Sequence, residues 1–238
     1  MLNLNRANLS LEPINTAVND AIARAVAAAA EEPRPYLGAS QVGHECLRRV
    51  QFDWWCRPEH EAKTRERFRR GDYFEERMRR HLVAAGFRFA PREALGFSAL
   101  NGTLRGHADG IIIHGPELPG AYVIYPTVWE HKALNAKGWK EIERDGLGKK
   151  YLYYLAQVSL YQAYLNVTNP ALFTVTNADT CEWLHFLVPF DAELAQLWSD
   201  RALNIIEATR AGELLPRAYD DATDWRCKMC PHRERCWR

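Results

Sequence analysis

Nothing in this chain stays apolar for long. Hydrophobic residues make up 47% of its 238 positions, yet no run approaches the roughly 18 apolar residues that cross a bilayer. The opening, Met1-Leu2-Asn3-Leu4-Asn5-Arg6, lacks the apolar core of an export signal, so the expectation is a cytoplasmic protein with no membrane partner. An excess of one charge is also missing. The formal net charge is +1, so any surface for nucleic acid has to come from local clustering of basic residues. No G-x-x-x-x-G-K-[ST] loop occurs, so any nucleotide-driven motor would be a separate chain. What remains is an ordinary globular composition, 26% charged, long enough for one large domain or two small ones. Six cysteines in a chain without an export signal argue for metal or redox use rather than disulfides.

The stretch from Arg105 to Ala133 organises the rest. Asp109 leads into Ile111-Ile112-Ile113, a β-branched run that reads as a buried strand. Gly115-Pro116-Glu117-Leu118-Pro119-Gly120 is turn chemistry, and a second β-rich run over 121–133 carries Glu130 and Lys132. An antiparallel pair of this kind brings Asp109 beside Glu130. Side chains repeat every two positions along a strand, so residues 130 and 132 share a face. Two carboxylates and an ammonium there are costly to bury alone. A hard divalent cation such as Mg²⁺ or Mn²⁺, which takes oxygen ligands and bridges to phosphates, resolves that cost.

Along the chain, residues 1–12 read as a lead-in, and Asn15 to Glu32 as an alanine-rich helix that ends at Glu32-Pro33-Arg34-Pro35. Residues 36–55 read as one helix capped by Ser40, with Cys46 inside it. Glu59 to Ala85 is the longest helical candidate, with Phe74, Met78 and Leu82 as its core stripe. Glu75 borders that stripe, whereas Glu76 faces outward with Arg79 and Arg80. The same helix holds Lys63, Arg65, Arg67, Arg69, Arg70 and Arg77, the densest basic surface in the chain and a track for phosphates. Short strands at 87–90 and 95–100 precede the Asp109 strand, and His107 shares its face, read as a core histidine rather than a ligand. A polar stretch over 135–150 then leads into a helix over 151–165. On it Lys150, Tyr154, Gln157, Tyr161 and Tyr164 share one side. A hairpin follows around Asn177-Ala178-Asp179-Thr180, and Asp191 caps a last helix over 192–211.

Cys227, Cys230 and Cys236 close the chain as C-x-x-C-x₅-C. Thiolates so closely spaced hold zinc or, four together, an iron–sulfur cluster. Cys46 is the preferred fourth ligand and Cys56 its rival; with zinc, His232 could substitute. Cys56 and Cys181 otherwise read as structural.

Asp109 with Glu130-His131-Lys132 resembles the motif of the PD-(D/E)XK nuclease superfamily. Gly71-x-x-x-Glu75, Gln157-x-x-x-Tyr161 and the pairing of an early Cys46 with a terminal C-x-x-C-P-x₅-C resemble its RecB-like iron–sulfur branch. That branch includes AddB nuclease domains and the CRISPR-associated Cas-four type, with phage exonucleases as relatives. The resemblance implies an α/β (α+β) fold in which helices flank a central mixed sheet, a restriction-endonuclease-like core with iron–sulfur-stapled termini. It divides the chain into an arm over 1–35 and one nuclease domain over 36–238, with the cysteine segment at 222–238.

The resemblance also implies the site residues. Glu75, Asp109, Glu130 and the His131 carbonyl would hold Mg²⁺ or Mn²⁺. Lys132 would orient the attacking water, and Gln157, Tyr161, Lys150 and Tyr154 would hold DNA. Cys46, Cys227, Cys230 and Cys236 would bind a 4Fe–4S cluster of structural role. The implied activity is a DNA exonuclease on single-stranded ends, in recombination, repair or CRISPR adaptation, beside a recombinase, helicase or adaptation protein. The alternatives are an endonuclease or end-trimming nuclease, and an inactive DNA-binding adaptor.

Overall fold

The computed structural model describes residues 12–29, 34–56, 61–148 and 150–238. In chain order the elements are α1 (Glu12–Ala28), β1 (Leu37–Gly38), α2 (Ala39–Val42), α3 (Leu47–Trp55), α4 (Ala62–Ala84), β2 (Arg88–Phe89), β3 (Gly96–Ala99), β4 (Leu104–His107), β5 (Gly110–His114) and β6 (Thr127–Leu134). They continue with α5 (Ala136–Asp145), α6 (Leu152–Tyr164), β7 (Ala171–Asn177), β8 (Trp183–Val188), α7 (Ala192–Ala211), α8 (Trp225–Lys228) and α9 (Arg233–Cys236). Five strands form the main sheet in the order β2-β5-β6-β7-β8; β6 and β7 run parallel and the other neighbours antiparallel. A smaller sheet has the order β1-β4-β3, with β1 parallel and β3 antiparallel to β4. This is the expected mixed α/β architecture, a central mixed sheet between helices. No described helix is long and apolar enough to cross a membrane.

The β period of two sorts the core. Ile111, Val128 and Phe173 go to the large cluster shared with Val158 and Leu160 of α6, whereas Ile112, Trp129 and Leu172 meet Met78 and Leu82 of α4. With both faces covered, all seven residues of β7 and the first five of β6 are buried. Each such aliphatic side chain contributes about 1.5–3 kcal/mol of hydrophobic stabilisation. Asp191 caps α7 as expected, its Oδ1 accepting from the Leu194 N–H at 3.0 Å. Helix α4 passes through Gly71 unbroken.

Three expectations need correction. The single helix over 36–55 is two helices broken at 43–46, with Ser40 inside α2 and Cys46 at the N-cap position of α3. The cause is Gly43: a Cβ there would lie 2.5 Å from the Tyr153 Cα, so the chain turns where it passes closest to α6. His44 Nδ1 then accepts the Cys46 N–H at 3.0 Å and sets the start of α3. The polar stretch over 135–150 contains α5, begun by Asn135 Oδ1 accepting from the Gly138 N–H at 2.9 Å. The β-rich run after the turn enters the sheet only at Thr127. The Glu32-Pro33 helix stop lies outside the described residues.

Candidate active site

The β5–β6 register pairs Gly110 with Trp129, which sets Asp109 beside the strand at residues 130 and 131. The His131 N–H donates to Asp109 Oδ2 at 2.7 Å, so a backbone bond fixes the Asp109 carboxylate. Glu130 is fully buried, at 0% exposure. Lys132, two positions on and on the same face, bonds Glu130 Oε1. Glu130 Oε2 is buried with no hydrogen-bond partner among the described residues. Glu75 arrives from α4, half-buried and turned toward Asp109 and Lys132. Its neighbour Glu76 instead pairs with Arg80 at 2.8 Å on the outer side of the helix.

Charge is crowded here. Burial, then the Asp109 charge, pushes Glu130 up to about 8. The same two causes raise Glu75 to about 7. Burial also lifts Asp109, against the pull of Lys132 and the His131 N–H. Burial opposes the charge on Lys132, but Glu130, Asp109 and Glu75 together hold its ammonium above the usual lysine range. Three carboxylates thus share one cation, and each added negative charge is resisted. Among the described residues no three His, Cys, Asp or Glu side chains are preassembled around a metal ion. The donor set nonetheless fits a hard divalent cation: every donor is an oxygen, and Glu130 Oε2 is buried with no partner.

His131 turns its ring to the opposite face of β6. Nδ1 lies 2.8 Å from Thr174 Oγ1, the ring stacks on Trp129, and burial lowers its pKa to about 3. Only its backbone is therefore available to the acids. His107, expected in the core, is exposed at the end of β4.

Helix α6 covers the other side. Tyr154 places its ring centroid 5.5 Å from Lys132 Nζ and packs on Phe173. Gln157 and Tyr161, expected to touch DNA, are 6% and 3% exposed, and Gln157 Nε2 donates to Tyr161 Oη at 3.0 Å. Lys150 is exposed and pairs with Glu141 of α5 at 2.5 Å. On α4, Arg67, Arg69 and Arg70 are exposed, and Arg69 pairs with Glu66.

The cysteines gather elsewhere. Cys46, Cys227, Cys230 and Cys236 line one cavity of about 250 Å³ together with Arg49 and Arg217, all six cysteines being free thiols. Cys56, at the C-cap of α3, and the exposed Cys181 do not line it. Burial, followed by the nearby Asp224 carboxylate, pushes the Cys227 thiol up, and burial does the same to Cys230. His232 is 5% exposed and its Nε2 lies 2.7 Å from Asp53 Oδ1, so this ring nitrogen is turned toward α3. Arg217 Nε points at Cys236 Sγ from 3.4 Å. Thiols are the donor type that an iron–sulfur cluster or zinc takes, but among the described residues no three of these cysteines are assembled around a metal ion. Asp53 and Arg217 were invisible in the sequence, because neither lies in a spaced motif.

No protein-family profile and no curated protein matches the chain. Among solved structures, it is similar to an alkaline exonuclease (LHK-Exo) from Laribacter hongkongensis, with a TM-score of 0.54, 16% identity, and 79% of this chain and 93% of that one covered. The same exonuclease in complex with dAMP matches with a TM-score of 0.52 at 14% identity, covering 81% and 93%. At such identities the likeness is one of fold: the chain shares the mixed α/β, restriction-endonuclease-like fold of that exonuclease.

Proposed function

We propose that this chain is a divalent-metal-dependent deoxyribonuclease of the RecB-like iron–sulfur type that removes nucleotides from DNA ends, with single-stranded ends favoured. The observation that carries this reading is the convergence of Glu75, Asp109, Glu130 and Lys132 at one end of the β5–β6 pair. Asp109, Glu130, Glu75 and the His131 carbonyl are the groups that would hold Mg²⁺ or Mn²⁺. Such an ion would lower the pKa of a bound water and neutralise charge developing on the phosphate. Lys132 is the general electrostatic partner: its ammonium, held above its usual range, orients the water and donates to the phosphoryl oxygens. The exposed arginines of α4 and Lys150 would carry the strand by its phosphates, with the half-buried Tyr154 beside Lys132. A deoxynucleotide substrate is supported by the dAMP complex of the solved exonuclease that shares this fold.

The same reading has Cys46, Cys227, Cys230 and Cys236 hold a 4Fe–4S cluster that clasps the tail to the start of α3, supported by their common cavity. The settings it suits are recombination, repair or CRISPR adaptation.

The deciding experiment is Mn²⁺-dependent degradation of end-labelled linear single- and double-stranded DNA beside a covalently closed circle, with Lys132→Ala as control. Shortening of the linear strands by wild type alone, with the circle intact, is the expected result. A cut circle would make the enzyme an endonuclease, and DNA retention without cutting would make it a binding adaptor.

A further inference from the structure

Resting on the nuclease reading, we infer that Gln157 and Tyr161 form a positioning pair that sets the Asp109 carboxylate, not a surface that grips the DNA strand. Their spacing is the first indication. Residues four apart on a helix lie one above the other, and Gln157 Nε2 bonds Tyr161 Oη at 3.0 Å within α6. Both side chains are almost wholly buried, so neither offers a phosphate a place to dock. A strand contact would require breaking a buried hydrogen bond and leaving its groups unpaired.

The Tyr161 ring reaches the acids through the backbone. It lies so close to Gly106 that a Cβ there would come within 2.6 Å of it and 2.4 Å of the Phe97 ring, which meets Tyr161 edge-on. The His107 backbone N–H, two residues before Asp109, is directed at the same hydroxyl. Oη accepts from Gln157 Nε2, and the strand segment that ends at Asp109 runs directly past the ring. Asp109 is held on its far side by the His131 N–H at 2.7 Å. The segment over 106–109 is thus pinned between α6 and β6. Tyr161 acts through that segment on where the Asp109 oxygens lie, and Gln157 acts through Tyr161.

Tyr161→Phe keeps the ring and its packing while removing the hydroxyl; Gln157→Met keeps the length without the donor. The full chain is stripped of divalent metal and titrated calorimetrically with Mn²⁺. Affinity for a single-stranded oligonucleotide is measured in Ca²⁺, and hydrogen exchange is followed over 105–110. Tyr161→Phe is expected to weaken Mn²⁺ binding about tenfold, the range seen when groups orienting a ligand are lost. It should lower kcat without raising KM for DNA and speed exchange over 107–110. Gln157→Met should move the same readouts in the same direction, and the double variant should add little, as members of one chain of contacts do. Weakened oligonucleotide binding with Mn²⁺ affinity and exchange unchanged would overturn the positioning role alone. A wild type that binds Mn²⁺ no better than Asp109→Asn would overturn the nuclease reading, and this inference with it.

Discussion

His232 Nε2 lies 2.7 Å from Asp53 Oδ1, joining positions 179 residues apart and seating the C-terminal tail on α3. Phe52 meets the same imidazole edge-on, and Arg235 lies over the rings of Phe52 and Trp55. Asp53→Ala leaves a ring nitrogen of a buried histidine without its partner, which costs about 1–3 kcal/mol. Urea unfolding should report that loss, and limited proteolysis should cut the tail faster. Asp53→Asn, which keeps an acceptor oxygen, should recover most of both.

Glu75 and Glu76 are adjacent on α4 and have opposite surroundings. Glu75→Ala should reduce Mn²⁺-dependent cleavage on the order of 100-fold, as removal of a group acting on the reacting centre does. Glu76→Ala breaks only the Arg80 pair on the outer surface and should leave cleavage unchanged. Equal effects in the cleavage assay would mean that α4 is turned differently against the sheet.

Metal-free stability should fall as pH rises. An unfolded glutamate titrates near 4.5, whereas folded Glu75 titrates at about 7 and Glu130 at about 8. The folded state therefore holds more protons between those values, and stability drops until about pH 8, then levels. His131 works in the opposite sense: its folded value of about 3 lies below the unfolded 6.5, so its contribution is complete above that pH. Between pH 6.5 and 8.5 the carboxylates dominate, and Tm should fall by about 2–5 °C. Mn²⁺ should abolish the slope in a thermal scan. A flat metal-free profile would mean that the acids are not crowded in solution.

Cys230→Ser or Cys46→Ser should bleach a brown protein and lower its stability, whereas Cys56→Ser should keep the colour, because Cys56 does not line the cavity. Iron, sulfide and zinc analysis with a visible spectrum decides this. A colourless wild type with one bound zinc would sink the cluster.

Much of the main sheet and of the acid cluster was legible before the structure. Ile111–Ile113, the Gly- and Pro-bounded turn and the period-two spacing of Glu130 and Lys132 specify an antiparallel pair. That pair alone brings Asp109 to the backbone of His131. Glu75 over Glu76 followed from the stripe of Met78 and Leu82, both buried. What escaped was set by long-range contact. The break at Gly43 depends on the backbone of Tyr153 more than a hundred residues away, and no local propensity encodes it. Helix α5 escaped because its apolar side rests on Trp139 and Ile142 amid a mostly polar stretch. The burial of Gln157 and Tyr161 escaped for a related reason: a tyrosine stripe on a helix looks the same whether it meets solvent or the glycine of a neighbouring strand.

The two halves of the molecule close over very different spans of chain. Asp109 reaches the His131 amide across 22 residues, whereas His232 reaches Asp53 across 179. A short hairpin forms early and re-forms quickly after opening; a contact between distant segments waits for everything between them to be in place. Closing the tail clasp therefore costs more chain entropy than closing the hairpin. His232 lines the same cavity as the four cysteines, so the clasp and the sulfurs share one wall at the tail, away from the hairpin that holds the acids.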